Sequence, residues 1–173
     1  MKIVVATSGA SGVNLGLKTL ALLPKEIEKH FIMSTNSKTV LSKEMGDVTV
    51  HDNDNIGASI ASGSFGVDAM IIAPCSMNTL AKIACGISDN LITRAAAVMI
   101  KEQKRLILAP REMPFSAIAL ENMQKLAALG IIIAPPVMAY YSEQQTLDEM
   151  ENFIIGKWFD LLGVENNLYK RWE

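Results

Sequence analysis

The stretch AMIIAPCSMNTLA, residues 69–81, decides the fold of this chain. Its first five residues form an uninterrupted apolar run, which is typical of a strand buried on both faces, and Pro74 predicts the end of that strand. Residues 79–84 have helical character. Hydroxyl groups, an amide and free backbone N–H groups therefore gather between a strand and a helix, where a parallel α/β sheet holds ligands. An ordinary helix cap is the alternative interpretation.

The same alternation of short apolar strands and helical segments runs along the whole chain. Strands are predicted at residues 3–6, 30–33, 69–73, 105–109 and 130–133, and more weakly at 48–50. Helices are predicted at residues 13–22, 38–44, 56–62, 79–84, 91–102, 116–128 and 146–162. Repeated βα units predict a single doubly wound, mainly parallel sheet of the Rossmann-like α/β class, with helices on both faces. We expect one domain over residues 1–162 and a tail over residues 163–173.

Composition limits the classes of function. The chain has 173 residues with a formal net charge of −2, which argues against a nucleic-acid binder that works by bulk electrostatics. Half of the residues are hydrophobic, yet no apolar run reaches the ~18 residues that a membrane span needs. The apolar excess therefore predicts contacts between subunits. Cys75 and Cys85 make no disulfide framework and predict a reducing, cytoplasmic location.

The turn after the first strand, TSGASG at residues 7–12, is rich in glycine and serine. Glycine permits a close backbone approach and positive φ, while Ser8 and Ser11 can donate to a phosphate or cap the next helix. The turn lacks the spacing G-x-G-x-x-G, and no acidic residue follows the second strand to hold the ribose of NAD. Ser34 stands there instead, which favours a mononucleotide or a flavin. Helix capping is the alternative for this turn.

Arg111 and Glu112 stand between two prolines just after the strand at 105–109. A fixed arginine can bind a phosphate or a flavin carbonyl, and a glutamate beside a cation can exchange a proton with a ligand. A surface ion pair is the alternative for adjacent opposite charges. Their place at the carboxyl end of a strand favours function.

Two further motifs lie outside these turns. Arg94 and Lys101 are seven residues apart on one helix face, where they form either a cationic wall for a phosphate or a solvated basic face. The acidic stretch HDNDN at residues 51–55 departs from a calcium-loop pattern, because Ile56 and Gly57 follow it. It predicts a turn and a helix cap, and we expect no metal site.

Taken in order, these motifs resemble the UbiX-type flavin prenyltransferases of the flavin-binding decarboxylase-like superfamily. The resemblance covers essentially the whole chain and rests on SGASG at 8–12, SGSF at 62–65, PCSMNT at 74–79, TRAA at 93–96, PREMP at 110–114 and PP at 135–136. It implies that reduced FMN accepts, at N5 and C6, a dimethylallyl group from dimethylallyl phosphate. The product, prenyl-FMN, would serve a partner UbiD-type decarboxylase, commonly in ubiquinone biosynthesis.

The resemblance also implies roles for individual residues. Those implied to contact FMN are Gly9, Ala10, Ser11, Ser34, Ser76, Met77, Asn78, Thr79 and Arg111. Those implied to bind or line the site of the prenyl donor are Tyr141, Lys157, Lys101, Arg94 and Trp172, with Glu112 close by. The implied catalytic residues are Glu112, Ser11 and Glu44, of which Glu112 would assist proton removal at the flavin.

Two positions depart from the family pattern. Lys157 stands where arginine is frequent, which keeps the charge but loses the bidentate fork. Ala97 stands where aspartate is frequent, which removes a partner for a neighbouring cation. A monophosphate leaving group would be stabilised by Lys101, Lys157 and Tyr141 without a metal ion. The family likeness also implies a homododecamer with active sites at subunit boundaries.

Two other functions remain open. The first is a flavin-dependent cysteine decarboxylase of the same superfamily. Such enzymes rely on a histidine in the first helical region, and its absence from residues 13–22 argues against this function. A non-catalytic flavin carrier for a partner enzyme is the alternative from a different class. Incubation with FMN and dimethylallyl phosphate under reducing conditions separates a carrier from a transferase.

Overall fold

The computed structural model of this chain describes residues 1–9, 11–33 and 47–172. Within these ranges strands and helices alternate in the order β1 (Lys2–Thr7), α1 (Val13–Leu22), β2 (Glu28–Met33), β3 (Val48–Asp52), β4 (Ala69–Cys75), α2 (Met77–Ala84), α3 (Leu91–Lys101), β5 (Arg105–Pro110), α4 (Ala117–Ala128), β6 (Ile132–Ile133) and α5 (Leu147–Leu162). The predicted helix at 38–44 and the predicted site residues Ala10, Ser34 and Glu44 lie outside the described residues.

The six strands form one parallel sheet in the order β3-β2-β1-β4-β5-β6, so the predicted doubly wound sheet is confirmed. The strand order reverses between β1 and β4. The loops that leave these two neighbouring strands run toward opposite faces of the sheet, which opens a crevice between them. The TSGASG and PCSMNT motifs are those two loops.

An apolar layer covers each face of the sheet, because successive side chains of a strand point to opposite faces. In β1, Val4 and Ala6 pack in the layer with α2, α3 and α4. Ile3 and Val5 pack in the opposite layer with α1 and α5. Burial on both faces explains why the run at 69–73 is apolar without alternation.

The predicted end of β4 at Pro74 is wrong. The strand continues to Cys75, and its register against β5 shifts between Ile72 and Cys75. A local irregularity of this kind accommodates a proline, which has no N–H for the ladder. The strand thus reaches the crevice one residue beyond the proline.

Two other predicted elements are shorter than expected. The predicted helix at 56–62 is reduced to two 3₁₀ turns, Ser59–Ala61 and Gly63–Phe65, in a glycine- and serine-rich stretch that disfavours a longer helix. The predicted strand at 130–133 begins only at Ile132, because Gly130 has φ +81° and closes the end of α4.

The acidic stretch at 51–55 makes a turn and a cap, as predicted, but the helix it caps is distant in sequence. The Asn53 side-chain oxygen accepts from Ile92 N at 3.0 Å, and its carbonyl accepts from Leu91 N at 2.8 Å. Asp52 Oδ1 accepts from Asp54 N at 3.1 Å. Asn53 therefore joins the end of β3 to the start of α3.

The described residues contain neither a candidate membrane span nor a candidate metal site. Every helix within them is too short or too polar to cross a lipid bilayer. They also contain no group of three or more His, Cys, Asp or Glu side chains arranged to hold a metal ion.

Candidate functional site

The crevice between β1 and β4 is a cleft of about 150 Å³ at the carboxyl ends of β1, β4 and β5. It is lined by Ser8, Gly9, Ser11, Pro74, Cys75, Ser76, Met77, Arg111 and Glu112. Three motifs that are far apart in sequence therefore meet at one point. Most of the residues predicted to contact a flavin lie here, together with the predicted proton-transfer residue Glu112.

Ser8 joins the two principal loops of the cleft. Its Oγ accepts from Ser76 N at 3.0 Å, and its own N–H donates to Pro74 O at 3.0 Å. Ser8 is only 6% exposed, and its hydroxyl is already hydrogen-bonded to Ser76 N. The prediction that this hydroxyl could donate to a phosphate is therefore not supported. Ser11 is exposed in the same loop, and its hydroxyl forms no hydrogen bond with any described residue.

The first helix presents an uncapped N-terminus to this cleft. Its N-cap residue is Gly12, with φ +88°, and no side chain among the described residues accepts from its first turn. Gly9 also has positive φ, at +107°, so the backbone at both glycines has a conformation that residues with side chains rarely adopt. Free N–H groups and the helix dipole make this end of α1 attractive to an anion.

The second helix differs, because its N-terminus is capped from within. Ser76 Oγ accepts from Thr79 N at 3.2 Å and donates to Thr79 Oγ1 at 3.0 Å. The helix-cap interpretation of the PCSMNT turn is therefore correct for these two hydroxyls, although Ser76 also lines the cleft. Asn78 and Thr79 do not line it: Asn78 is exposed, and Thr79 is buried.

Arg111 and Glu112 form the third side of the cleft. The Arg111 Cδ lies 3.5 Å from the point where a Cβ on Gly12 would stand, so the arginine passes over the start of α1. Glu112 Oε1 accepts from Met113 N at 3.2 Å. Neither charged group forms an ion pair within the part of the chain that the structure describes, so the surface-ion-pair interpretation is wrong there.

Two buried groups lie at the ends of β4 and β1. Burial raises the pKa of the Cys75 thiol to about 12, so this sulfur stays protonated at neutral pH and is not a nucleophile. Thr7 Oγ1, at the end of β1, is buried and has no hydrogen-bond partner among the described residues. An anionic ligand such as a mononucleotide suits this cleft, because an uncapped helix end and the Arg111 side chain lie together there.

The basic residues of α3 face a different cleft. Arg94 and Lys101 line a depression of about 360 Å³ together with residues from the 56–63 segment. The Lys101 ammonium pairs with the carboxylate of Glu102. The Arg94 guanidinium forms no hydrogen bond or ion pair within the described ranges.

The predicted aromatic residues of the donor site lie in a third cleft. It measures about 230 Å³ and is lined by Tyr141, Ser142, Lys170, Arg171 and Trp172. The rings of Tyr141 and Trp172 meet edge to face, with centroids 5.3 Å apart. Lys157 Nζ lies 5.9 Å from the centroid of Tyr169, a tail residue that sequence reasoning did not select.

The predicted site residues that line a cleft thus fall into three clefts, which share no lining residue within one chain. Lys101 and Glu112, which the resemblance places near the donor phosphate, line separate clefts of a single chain. The sequence could place each residue on its element, but not the elements against one another.

Comparison with known proteins gives concordant matches over the full chain. The family described as Flavoprotein matches residues 1–158. A flavin prenyltransferase UbiX of Helicobacter pylori is 50% identical over 99% of this chain and 98% of its own. A dodecameric FMN-dependent UbiX-like decarboxylase from Escherichia coli O157:H7 has a TM-score of 0.91 at 38% identity, with both chains covered completely. AnUbiX (PadA1), solved in complex with FMN and dimethylallyl pyrophosphate, has a TM-score of 0.91 at 37% identity and covers 99% of this chain and 97% of its own.

Proposed function

This chain belongs to the flavin prenyltransferases of the Flavoprotein family, and on that premise we propose that it joins a dimethylallyl group from dimethylallyl phosphate to N5 and C6 of reduced FMN. The observation that carries the proposal is the cleft between β1 and β4, where an uncapped helix end, Arg111 and Glu112 converge. An apolar strand end and hydroxyl-bearing turns complete a pocket suited to a mononucleotide.

The chain's own residues divide the work of binding. We assign the FMN phosphate to the N-terminus of α1, with Gly9 and Ser11, since an anion there meets free N–H groups. Arg111 lies beside this helix end and can reach either the phosphate or a flavin carbonyl. Ser76 and Met77 contact the flavin from the other loop. Ala10 and Ser34 stay predictions for the same ligand.

Reduced FMN supplies the nitrogen and carbon nucleophiles of the reaction. The donor C–O bond breaks and releases inorganic phosphate, whose negative charge Lys157, Lys101 and Tyr141 stabilise. The Trp172 ring would stabilise the positive charge that develops on the allylic carbon atoms. Bond formation at N5 and at C6 releases one proton each. One proton adds to the prenyl double bond, so that C6 can close the new ring on the cation this creates, and the other leaves with the phosphate. Glu112 would take the proton from C6. Arg94 and Glu44 complete the predicted donor site.

Assembly brings these residues together in our proposal. Four predicted donor residues line clefts separate from the one that holds Glu112: Tyr141, Trp172, Arg94 and Lys101. We propose that neighbouring chains contribute such residues to each site. We propose a homododecamer, as in the dodecameric relative from Escherichia coli. We further propose a cytoplasmic enzyme that passes prenyl-FMN to a UbiD-type decarboxylase, with residues 1–162 as the flavin-binding domain and residues 163–173 as its tail.

Mass spectrometry of the flavin tests the proposal. The protein is incubated anaerobically with FMN, a reductant and dimethylallyl phosphate, and the flavin is then extracted. We expect a flavin heavier by one five-carbon prenyl unit, also when a chelator is present. Parallel reactions with dimethylallyl pyrophosphate decide which donor is used. Unchanged FMN that co-purifies with the protein would instead indicate a flavin carrier, and release of carbon dioxide from a peptidyl cysteine would indicate a decarboxylase.

A further inference from the structure

The C-terminal tail folds back onto α5. The helix ends at Leu162, and Gly163 takes φ +76° so that Val164 N can donate to Phe159 O at 2.8 Å. This left-handed cap reverses the chain, and the side chain of Val164 is buried. Asn166 Nδ2 then reaches Gly156 O at 3.2 Å, so the tail runs back along the helix.

One carboxylate in the last turn of α5 holds three tail residues. Asp160 Oδ1 accepts from Asn166 Nδ2 at 3.0 Å, and Asp160 Oδ2 accepts from Tyr169 Oη at 2.5 Å. The Arg171 guanidinium donates to both oxygens, at 2.8 and 3.0 Å. Bidentate pairing of this kind fixes orientation as well as distance. We call these four residues, Asp160, Asn166, Tyr169 and Arg171, the Asp160 clamp.

The ring of Tyr169 seats the tail against the helix surface. A Cβ placed on Gly156 would lie 2.4 Å from Tyr169 Cδ1, so the ring occupies the space that only a glycine leaves. On its other side the ring meets Phe153, with centroids 5.0 Å apart. Phe153 also meets Tyr141 at 5.7 Å. The clamp therefore sits at one end of a continuous row of rings.

The other end of that row is the open face of the third cleft. Tyr141 is 47% exposed and Trp172 is 78% exposed, and their rings touch. Trp172 follows Arg171 directly, so the ion pair of Arg171 with Asp160 fixes the backbone next to Trp172. Without that anchor, a tail end with an exposed tryptophan would have many conformations.

We propose that Asp160 is a positioning residue for prenyl transfer: through the Asp160 clamp it holds Trp172 beside Tyr141, so that the two rings form one wall of the prenyl-donor site. The inference rests on the proposed function, because it takes these rings to face the donor. Asp160 acts through the tail and touches neither donor nor flavin.

The electrostatics of the clamp suit a permanent anchor. The pKa of the Asp160 carboxyl is lowered from its ordinary 3.8, most of all by the Arg171 guanidinium. Hydrogen bonds from Tyr169 and Asn166 lower it further. The pKa of Tyr169 is raised to about 12, mainly by burial and to a smaller extent by its hydrogen bond to Asp160. The contribution of Asp160 is lost only as pH falls through its lowered pKa, and that of Tyr169 only as pH rises toward about 12. The clamp is therefore closed throughout the neutral range.

The test compares Asp160→Asn with Glu165→Gln in the full assembly. Both variants change a carboxylate to an amide at the end of α5 or in the tail, but Glu165 is exposed and bonds to no described residue. For Asp160→Asn we expect the KM for dimethylallyl phosphate to rise about tenfold, with FMN affinity unchanged, because the clamp loses charge-assisted hydrogen bonds that solvent partly screens. Trypsin should also remove the tail end faster, cleaving after Lys170 or Arg171. Glu165→Gln should match the parent in all three measurements.

A double-variant cycle distinguishes positioning from general loss of structure. If Asp160 acts through Trp172, adding Asp160→Asn to Trp172→Ala should raise the donor KM no further. Arg171→Gln, which leaves α5 untouched, should reproduce the effect and replaces Asp160→Asn if that variant does not fold.

A parent-like donor KM in the clamp variants, or additive effects in the cycle, overturns the inference while the proposed function stands. A parent protein that makes no prenyl-FMN overturns the proposed function, and with it the donor-wall role, whereas the trypsin result still reports on the clamp.

Discussion

Ser8 and Ser76 are joined across the crevice by a hydrogen bond of 3.0 Å, from the backbone N–H of Ser76 to the Ser8 hydroxyl, although the two residues are 68 positions apart. The bond links the loop after β1 to the loop after β4. These are the neighbouring strands at which the sheet reverses its order. One buried hydroxyl thereby fixes the spacing of the two loops between which we place FMN.

Ser8→Ala should weaken FMN binding without unfolding the protein. The variant leaves Ser76 N without its partner, and a lost hydrogen bond of this kind is worth about 1 kcal/mol, or about fivefold in affinity. Titration calorimetry with FMN gives the dissociation constant. Ser64→Ala is the matched control, because among the described residues the exposed Ser64 hydroxyl bonds only to the hydroxyl of Ser62. Equal FMN affinity in the parent and Ser8→Ala would show that the loops keep their spacing by other contacts.

Glu112→Gln should leave FMN binding largely intact and stall prenylation. Glutamine keeps the shape and can still accept from Met113 N, but it cannot take up a proton. Rapid-quench mass spectrometry of the flavin measures the rate, and flavin absorbance measures the bound fraction. Glu121→Gln, an exposed carboxylate on α4, is the control. Prenyl-FMN formation at the parent rate in Glu112→Gln would remove this residue from the reaction.

Lys157→Ala should raise the KM for dimethylallyl phosphate and leave FMN affinity unchanged. The loss of a charged hydrogen bond is worth roughly 1.5–3 kcal/mol, or about ten- to a hundredfold in affinity. Lys157→Arg should keep activity, since a guanidinium binds phosphate by its fork. Steady-state kinetics decide the matter, with Lys125→Ala, an exposed lysine on α4, as the control. A silent Lys157→Ala would identify Lys157 as a solvated helix residue.

Stability should fall as pH drops below about 6.5, because of His51. The pKa of His51 is lowered from its ordinary 6.5, mainly by burial and to a smaller extent by the nearby His30. The imidazole pair is in contact, with His30 Nδ1 3.0 Å from His51 Nε2, and Glu28 Oε1 lies 3.0 Å from His30 Nε2. A depressed pKa in the folded state means that the unfolded chain binds more protons below pH 6.5, so the stabilisation is present above that pH and lost below it.

Urea unfolding at several pH values and one protein concentration measures this dependence. From pH 7 to pH 5 we expect the free energy of unfolding to fall by about 1 kcal/mol, allowing for solvent screening of a partly exposed ring. His51→Gln should flatten the dependence, and the chain has only two histidines, so no third imidazole interferes. A slope that is unchanged in His51→Gln would assign it to other groups.

The fold could be predicted from the sequence because the signals that set it are local. Apolar runs at β1, β4 and β5 are continuous since both faces of those strands are buried, and the bounds predicted for α1 coincide with those observed. The end of β4 could not be predicted, because whether a strand continues past Pro74 depends on the register of its neighbour β5. Local propensity carries no information on that register.

The candidate site was predictable in part, for a related reason. Gly9, Ser76 and Arg111 follow parallel strands, whose carboxyl ends lie at one edge of a sheet, so their convergence follows from the fold class. The role of Ser8 could not be foreseen, since its partner depends on how close β1 and β4 bring their loops. Asp160 was missed because its partners depend on where α5 ends and which way the tail then turns.

Distribution of the predicted site residues over three clefts of each chain has a genetic consequence. In the assembly that we propose, each active site combines residues from different copies, so an inactive chain disables sites on its neighbours as well as its own. Co-expression of a defective allele with an intact one would then lower activity by more than its share of the subunits. Two alleles damaged in different clefts would, by the same logic, restore some intact sites when their products assemble together.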